Sequence, residues 1–272
     1  MTISSRHNGS ASRTAHGAEV RPSPSGPTAD RQMSRWGGAA GLAGVVCMIV
    51  TVVVIGAMGL PDASDVETLT DFADIESGRI AEHFLYLSAL VLFALHVLVL
   101  RRLLDTAHPA AALFGTAIAE FGLVIMAASS LLHVSTSPLA ELYTEPGATA
   151  EELQSIEYAW HGAQSVFDTM LSTGVLLVPI GIVLLGTAMW HAPAFGPRLT
   201  WLALTLGTIG IVGAAIAVVD PGSQFSAVSV LAIVAFYLST GWRALAIGNK
   251  EHPELTDREP TPDDTIAESD PR

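Results

Sequence analysis

Apolar residues in this chain gather into six long runs, at about 36–60, 80–100, 109–133, 160–190, 199–219 and 223–246, and polar residues fill the stretches between them. Each run reaches the roughly 20 residues that an α-helix needs to cross hydrocarbon, where every backbone N–H and C=O must be paired within the segment. The pattern predicts an all-α fold: a polytopic bundle of six transmembrane helices over 36–246. The first run is too long for a signal-peptide core and follows a polar stretch, so it reads as an uncleaved helix. Residues 1–35 and 247–272 are rich in Ser, Pro, Gly, Asp and Glu, bury too little apolar surface to fold, and read as disordered tails.

Two local signals refine the fourth run. Thr149 and Glu152 have the spacing of a capping box, which opens a helix near residue 150, before the apolar stretch begins. That helix passes Tyr158 and Trp160, an expected aromatic marker of the outer interface, and then Pro179, where a kink is expected. Small residues recur at close spacing in the first run (Gly37, Gly41, Gly44) and the fifth (Gly207, Gly210, Gly213). They suit close helix packing within the chain, or a homo- or hetero-oligomer formed through those two helices.

Charge orients the bundle. Of thirteen Lys and Arg residues, Arg6, Arg13, Arg21, Arg31, Arg35, Arg101, Arg102, Arg198, Arg243, Lys250, Arg258 and Arg272 fall on one side of the alternating helices, and only Arg79 on the other. Cytoplasmic loops retain positive charge, so both termini are expected in the cytoplasm, with the acidic loops outside the plasma membrane of a prokaryotic cell. Half of the residues are hydrophobic and 14% charged, which makes the lipid bilayer the natural solvent. The net charge of −13, carried by loops and tails, disfavours a nucleic-acid partner. Cys47 is the sole cysteine, which excludes an intrachain disulfide and a cysteine zinc site.

The chemistry-bearing residues are few. Glu157, His161, Gln164, Ser165, Asp168 and Ser172 form one stripe at helical spacing, which is expected to face the bundle interior because an ionised Asp168 in lipid costs on the order of 3 kcal/mol or more. Counting 1.5 Å per residue from the run boundaries places Asp168 and Glu120 within a turn of the same depth, as an intramembrane polar pair that could share a proton. His83, His133 and His161 share a level near the outer surface, with Glu82 and Tyr86 close by, while His96 is alone toward the other side. Three histidines from three helices suit zinc, and two of them could ligate a b-type haem. No phosphate loop, nucleophile elbow or Cys-x-x-Cys is present, so no catalytic residue is assigned and an enzyme is not indicated.

The stretches HFLYLSALVLFALHVLVLRRLL, HVSTSPLAELY and LLVPIGIVLLGTAMWHAPAFG resemble those of uncharacterised six-helix integral membrane proteins of prokaryotes. The resemblance covers about residues 36–246 and implies topology alone. Three function classes follow from the residues: a non-catalytic scaffold or accessory subunit, which the sequence favours; a transporter of protons or small cations using Glu120 and Asp168; and a metal- or haem-binding membrane protein using His83, His133 and His161.

Overall fold

The computed structural model describes residues 27–59, 69–220 and 225–249. They form eight helices: α1 (Pro27–Met58), α2 (Leu69–Asp74), α3 (Glu76–Leu104), α4 (Pro109–Val134), α5 (Ser137–Tyr143), α6 (Ala150–Met189), α7 (Gly196–Val219) and α8 (Phe225–Gly248). Six candidate spans among them are long and apolar enough to cross a membrane, as expected for a multi-pass membrane protein.

The long helices form a closed ring in the order α1, α3, α4, α6, α7, α8, with α8 returning to α1. Ring neighbours run antiparallel. α3, α6 and α8, which share a direction, also meet across the middle. Glycines set the crossings: a Cβ on Gly115 would come within 3.0 Å of the Gly181 carbonyl oxygen, and one on Gly122 within 3.0 Å of the Gly174 carbonyl oxygen. On α1, Gly37, Gly41 and Gly44 abut Val99, His96 and Phe93 of α3, while on α7 Gly207 and Gly210 abut Val183 and Pro179 of α6, and Gly213 abuts α8. The two glycine faces are therefore occupied inside the chain.

α1 starts earlier than the sequence pattern predicts. Its first turns, 27–35, belong to the helix because α8 holds them: Ser34 Oγ donates to the Ala244 carbonyl at 2.7 Å and Arg35 Nε to the Gly248 carbonyl at 2.9 Å. α8 likewise ends at Gly248, beyond the expected boundary. The rest of both tail expectations falls outside the described residues.

α6 spans 40 residues, about 60 Å, roughly twice the hydrocarbon core. Its capping box is formed as expected, Thr149 Oγ1 accepting from the Glu152 N–H at 3.3 Å and Glu152 Oε2 from the Thr149 N–H at 2.8 Å. The first turns of α6 pack with α2 and α5 into a small cap whose core is Leu69, Phe72, Ala140 and Trp160. Trp160 is 1% exposed, against Phe72 at 5.2 Å between ring centroids, so it is cap core rather than an interface marker. The other four tryptophans, Trp36, Trp190, Trp201 and Trp242, are all more than half exposed. Antiparallel register brings them to the opposite end of the ring, beside Arg31, Arg35, Arg101, Arg102, Arg198 and Arg243, where amphipathic rings and cations suit a membrane interface. Among the described residues only Arg79 lies at the cap end.

α6 continues as a helix through Pro179. Proline lacks the N–H that would bond the Val175 carbonyl four residues back, and Ser229 Oγ of α8 donates to that carbonyl at 3.3 Å instead. Ser229→Ala should therefore lower stability by about 1 kcal/mol, and Pro179→Ala should abolish that sensitivity because the new N–H re-forms the helical bond. Urea unfolding of the four variants in micelles measures this; an equal loss from Ser229→Ala in both backgrounds would refute the compensation.

Candidate functional site at the cap end of the ring

Around the cap end the ring opens into a chamber of about 310 Å³. α1 supplies Met48, Thr51, Val52 and Ile55; α3 supplies Arg79, Glu82, His83 and Tyr86; α4 supplies Ser130 and His133; α6 supplies Phe167 and Leu171; and α8 supplies Val230. The walls are chiefly apolar, and the polar residues come mainly from the first turns of α3 and the last of α4. Val52, Leu171 and Val230 also line an adjoining recess of about 600 Å³ that reaches Asp168, Ser172 and Ser226.

The polar wall has a definite hydrogen-bond order. His83 Nδ1 lies 2.8 Å from the Arg79 carbonyl oxygen and 2.5 Å from Glu82 Oε2, both acceptors, so Nδ1 carries the proton. In the neutral ring Nε2 is then an acceptor. It meets His133 Nδ1 at 3.2 Å, which must donate, and this leaves His133 Nε2 as a bare lone pair. That atom is buried and has no partner among the described residues. Phe167 covers the His133 ring at 4.4 Å between centroids.

Arg79 is 2% exposed, an unusual place for a guanidinium. Its Nη2 donates to the His133 carbonyl at 3.4 Å, near the negative end of the α4 dipole, and its Cζ sits 4.7 Å from the centre of the Phe72 ring. Glu82, one turn along α3, offsets part of the charge. Nε and Nη1 have no hydrogen-bond partner among the described residues. One side chain thus ties the cap to α4 and leaves the three N–H bonds on Nε and Nη1 unmet.

Of the sequence candidates, His83 and His133 meet and His161 stands apart. His161 is exposed, and six residues on α6 separate it from Phe167, about 9 Å of rise. Among the described residues no group of three or more His, Cys, Asp or Glu is placed to hold a metal. The two histidines bond each other directly, whereas axial haem ligands need their nitrogens on opposite faces of one iron. The adjacent guanidinium also repels a cation.

Glu120 and Asp168 are not neighbours either. Phe167 of α6 packs on His133 of α4, which puts Asp168 level with Leu132, twelve residues or about 18 Å from Glu120. The depth count failed because it began the membrane at Trp160, which belongs to the cap. Asp168 is exposed in its recess and accepts from Gln164 Nε2 on its own helix at 3.1 Å. The stripe on α6 therefore serves three settings: Glu157 accepts from Tyr143 Oη at 3.4 Å in the cap, His161 is exposed, and Asp168 and Ser172 line the recess rather than a packed interior.

Glu120 belongs to a deeper layer. Thirteen residues separate it from His133, as thirteen separate His96 from His83, so antiparallel α3 and α4 bring Glu120 level with His96, which is not isolated after all. His96 Nδ1 is 2.8 Å from the Gly37 carbonyl and Nε2 is 2.9 Å from Thr240 Oγ1, joining α3 to α1 and α8. Tyr237 stacks on Phe93 at 3.9 Å and meets the His96 ring edge-on at 5.7 Å. Glu120 is close enough for its charge to act on the Tyr237 phenol.

Arg79, Thr51, Ser130 and Phe167 escaped the sequence reading. Arg79 was counted as a loop charge; its position one turn before Glu82 and His83, on the face they share, was the signal available. No known protein family, curated protein or solved structure matches this chain.

Because Glu120 and Asp168 lie about 18 Å apart along the axis, the stability effects of Glu120→Gln and Asp168→Asn should add to within about 0.5 kcal/mol in the double variant. Thermal or urea unfolding of the three proteins checks this, and a larger coupling energy would contradict the register.

Proposed function

We propose that this protein binds a small, largely apolar organic molecule in the chamber at the cap end of its bundle, as a membrane-embedded receptor or carrier. The observation that supports this most directly is the chamber itself: an apolar space of about 310 Å³ onto which Arg79, Glu82, His83 and His133 converge from two helices. A scaffold holds its helices together with glycine contacts and interhelical hydrogen bonds, as the opposite half of the ring does. It has no use for a buried guanidinium and imidazole with unmet hydrogen bonds beside a cavity, since each unmet group costs stability. Proton or cation movement through Glu120 and Asp168 loses its premise once the two carboxyls occupy separate layers.

Orientation follows from the distribution of cations. The arginine- and tryptophan-bearing end faces the cytoplasm of a prokaryotic cell in this reading, so the chamber opens toward the outside or the outer leaflet. A reporter active only outside the cell, inserted at residue 145, should be active, and one inserted at residue 105 silent; the reverse pattern would invert the assignment.

Compounds with an eight-carbon chain and varied head groups test the binding reading. At least one should stabilise the purified protein in neutral-lipid nanodiscs, by about 2.7 kcal/mol at a hundredfold excess over its Kd. Leu171→Trp, which fills the chamber, should remove that effect without preventing folding. Absence of stabilisation across the series, or stabilisation untouched by Leu171→Trp, would defeat the proposal.

A further inference from the structure

Resting on that ligand-binding reading, we propose that the chamber's ligand is a medium-chain monocarboxylic acid, held as the carboxylate at Arg79 with its proton on the His83–His133 pair. The apolar walls, Met48, Val52, Ile55, Leu171 and Val230, suit a hydrocarbon chain, and the adjoining recess lengthens the space available to it. The head group meets complementary partners. Arg79 has unmet N–H donors on Nε and Nη1, and His133 Nε2 is a lone pair without a donor. A neutral alcohol could donate to the lone pair and accept from Arg79, but it brings no charge to oppose the guanidinium. A carboxylic acid fills both roles and, on giving up its proton, leaves a charged acceptor against Arg79.

The transfer balances without a redox partner. The O–H bond of the acid breaks as an N–H bond forms at His133 Nε2, and the electron pair stays on the carboxylate, which accepts from Arg79. His133 can then pass its Nδ1 proton to His83 Nε2 across 3.2 Å, so the added charge spreads over both rings and toward Glu82. Before binding, Arg79 and Glu82 cancel; afterwards the carboxylate and the imidazolium cancel as well, and the chamber remains neutral. That matters in a low-dielectric site, where an uncompensated charge is expensive.

The charged and titratable groups that face the pair are Arg79, Glu82 and Tyr86 on α3 and His133 itself on α4, with Glu76 acting on Arg79 from the preceding turn. α1 and α8 contribute Met48, Thr51, Val52, Ile55 and Val230, none of them charged, and on α6 Asp168 lines the recess next door. The unmet atoms are shielded from the chamber surface, and Phe167 lies over the His133 ring. Entry of the head group therefore requires Phe167 to turn aside.

Titration calorimetry on the full chain in neutral-lipid nanodiscs, with octanoate and 1-octanol as probes and empty nanodiscs as the blank, tests the assignment. Repeating it in two buffers of different ionisation enthalpy counts protons. Octanoate should bind at least tenfold more tightly than 1-octanol and take up about one proton, so its affinity falls as pH rises, by up to tenfold per unit above the pair's own titration. Arg79→Gln should lose at least tenfold for octanoate and little for 1-octanol. If that variant does not fold, His133→Gln serves: proton uptake should vanish. Equal binding of both probes, or proton uptake that persists in His133→Gln, would overturn the acid assignment. In either case loss of binding in Leu171→Trp would leave the chamber reading standing, whereas failure of both probes to bind the parent protein would remove the two together.

Discussion

Six helices in lipid gain little from hydrophobic burial, because the acyl chains around them are as apolar as leucine, so the bundle depends on how closely backbones can approach. Gly41 shows what that approach does. A Cβ there would stand 2.9 Å from His96 Nδ1 and 3.3 Å from the Gly241 Cα, at the meeting of α1, α3 and α8. With no side chain in the way, the Gly37 carbonyl and Thr240 both come within reach of His96, and three helices are bound by one imidazole. The tautomer follows from the same contacts. The Gly37 carbonyl can only accept, so Nδ1 carries the proton, while Thr240 Oγ1 lies 2.9 Å from Nε2 and 2.7 Å from the Phe236 carbonyl of its own helix. Replacing Gly41 by any larger residue would displace the ring that carries these bonds.

The cap end of α1 lacks this constraint. Gly56 has nothing within 4 Å of where a Cβ would stand, and neither does Gly162 on α6. What closes that end is a different device, the cap of α2, α5 and the first turns of α6, and Arg79 joins it to the bundle through Phe72 and the His133 carbonyl. One molecule thus contains a half held by backbone contact and a half held by a charged side chain under a small apolar lid. Close packing transmits strain and resists volume change, so ligand-sized adjustments belong to the second half.

The sequence made the helices legible and hid their registers. Hydrophobic runs locate six spans because the bilayer punishes any interruption, and the Thr149–Glu152 box was readable because capping is local. Depth was another matter. Trp160 has the composition of an interface residue and the position of a cap-core residue, and only its contact with Phe72 tells the two apart. Everything measured from it moved, so Asp168 was paired with Glu120 rather than placed beside the chamber. Histidine spacing gave two members of a real cluster and one outsider, since a shared level fixes height but not azimuth around each helix. Arg79 was visible as a charge and not as a buried one, because its burial depends on Phe72 of α2 and His133 of α4, which the sequence alone does not bring together.

The two acidic layers differ in a way that bears on function. Asp168 lines an open recess and accepts a hydrogen bond from Gln164 on its own helix. Glu120 lies level with His96, with Oε1 unmatched, and His96 is engaged in holding helices together. A conduction path would need a chain of movable polar groups between them. The intervening level is instead filled by Leu90, Leu123, Met126, Val178 and Ile233, all in the buried apolar core. A buried apolar layer thus lies between the chamber and the level of His96. A blind apolar space with one polar wall is a geometry for holding a solute, and any passage across the membrane would require the glycine-packed half to open.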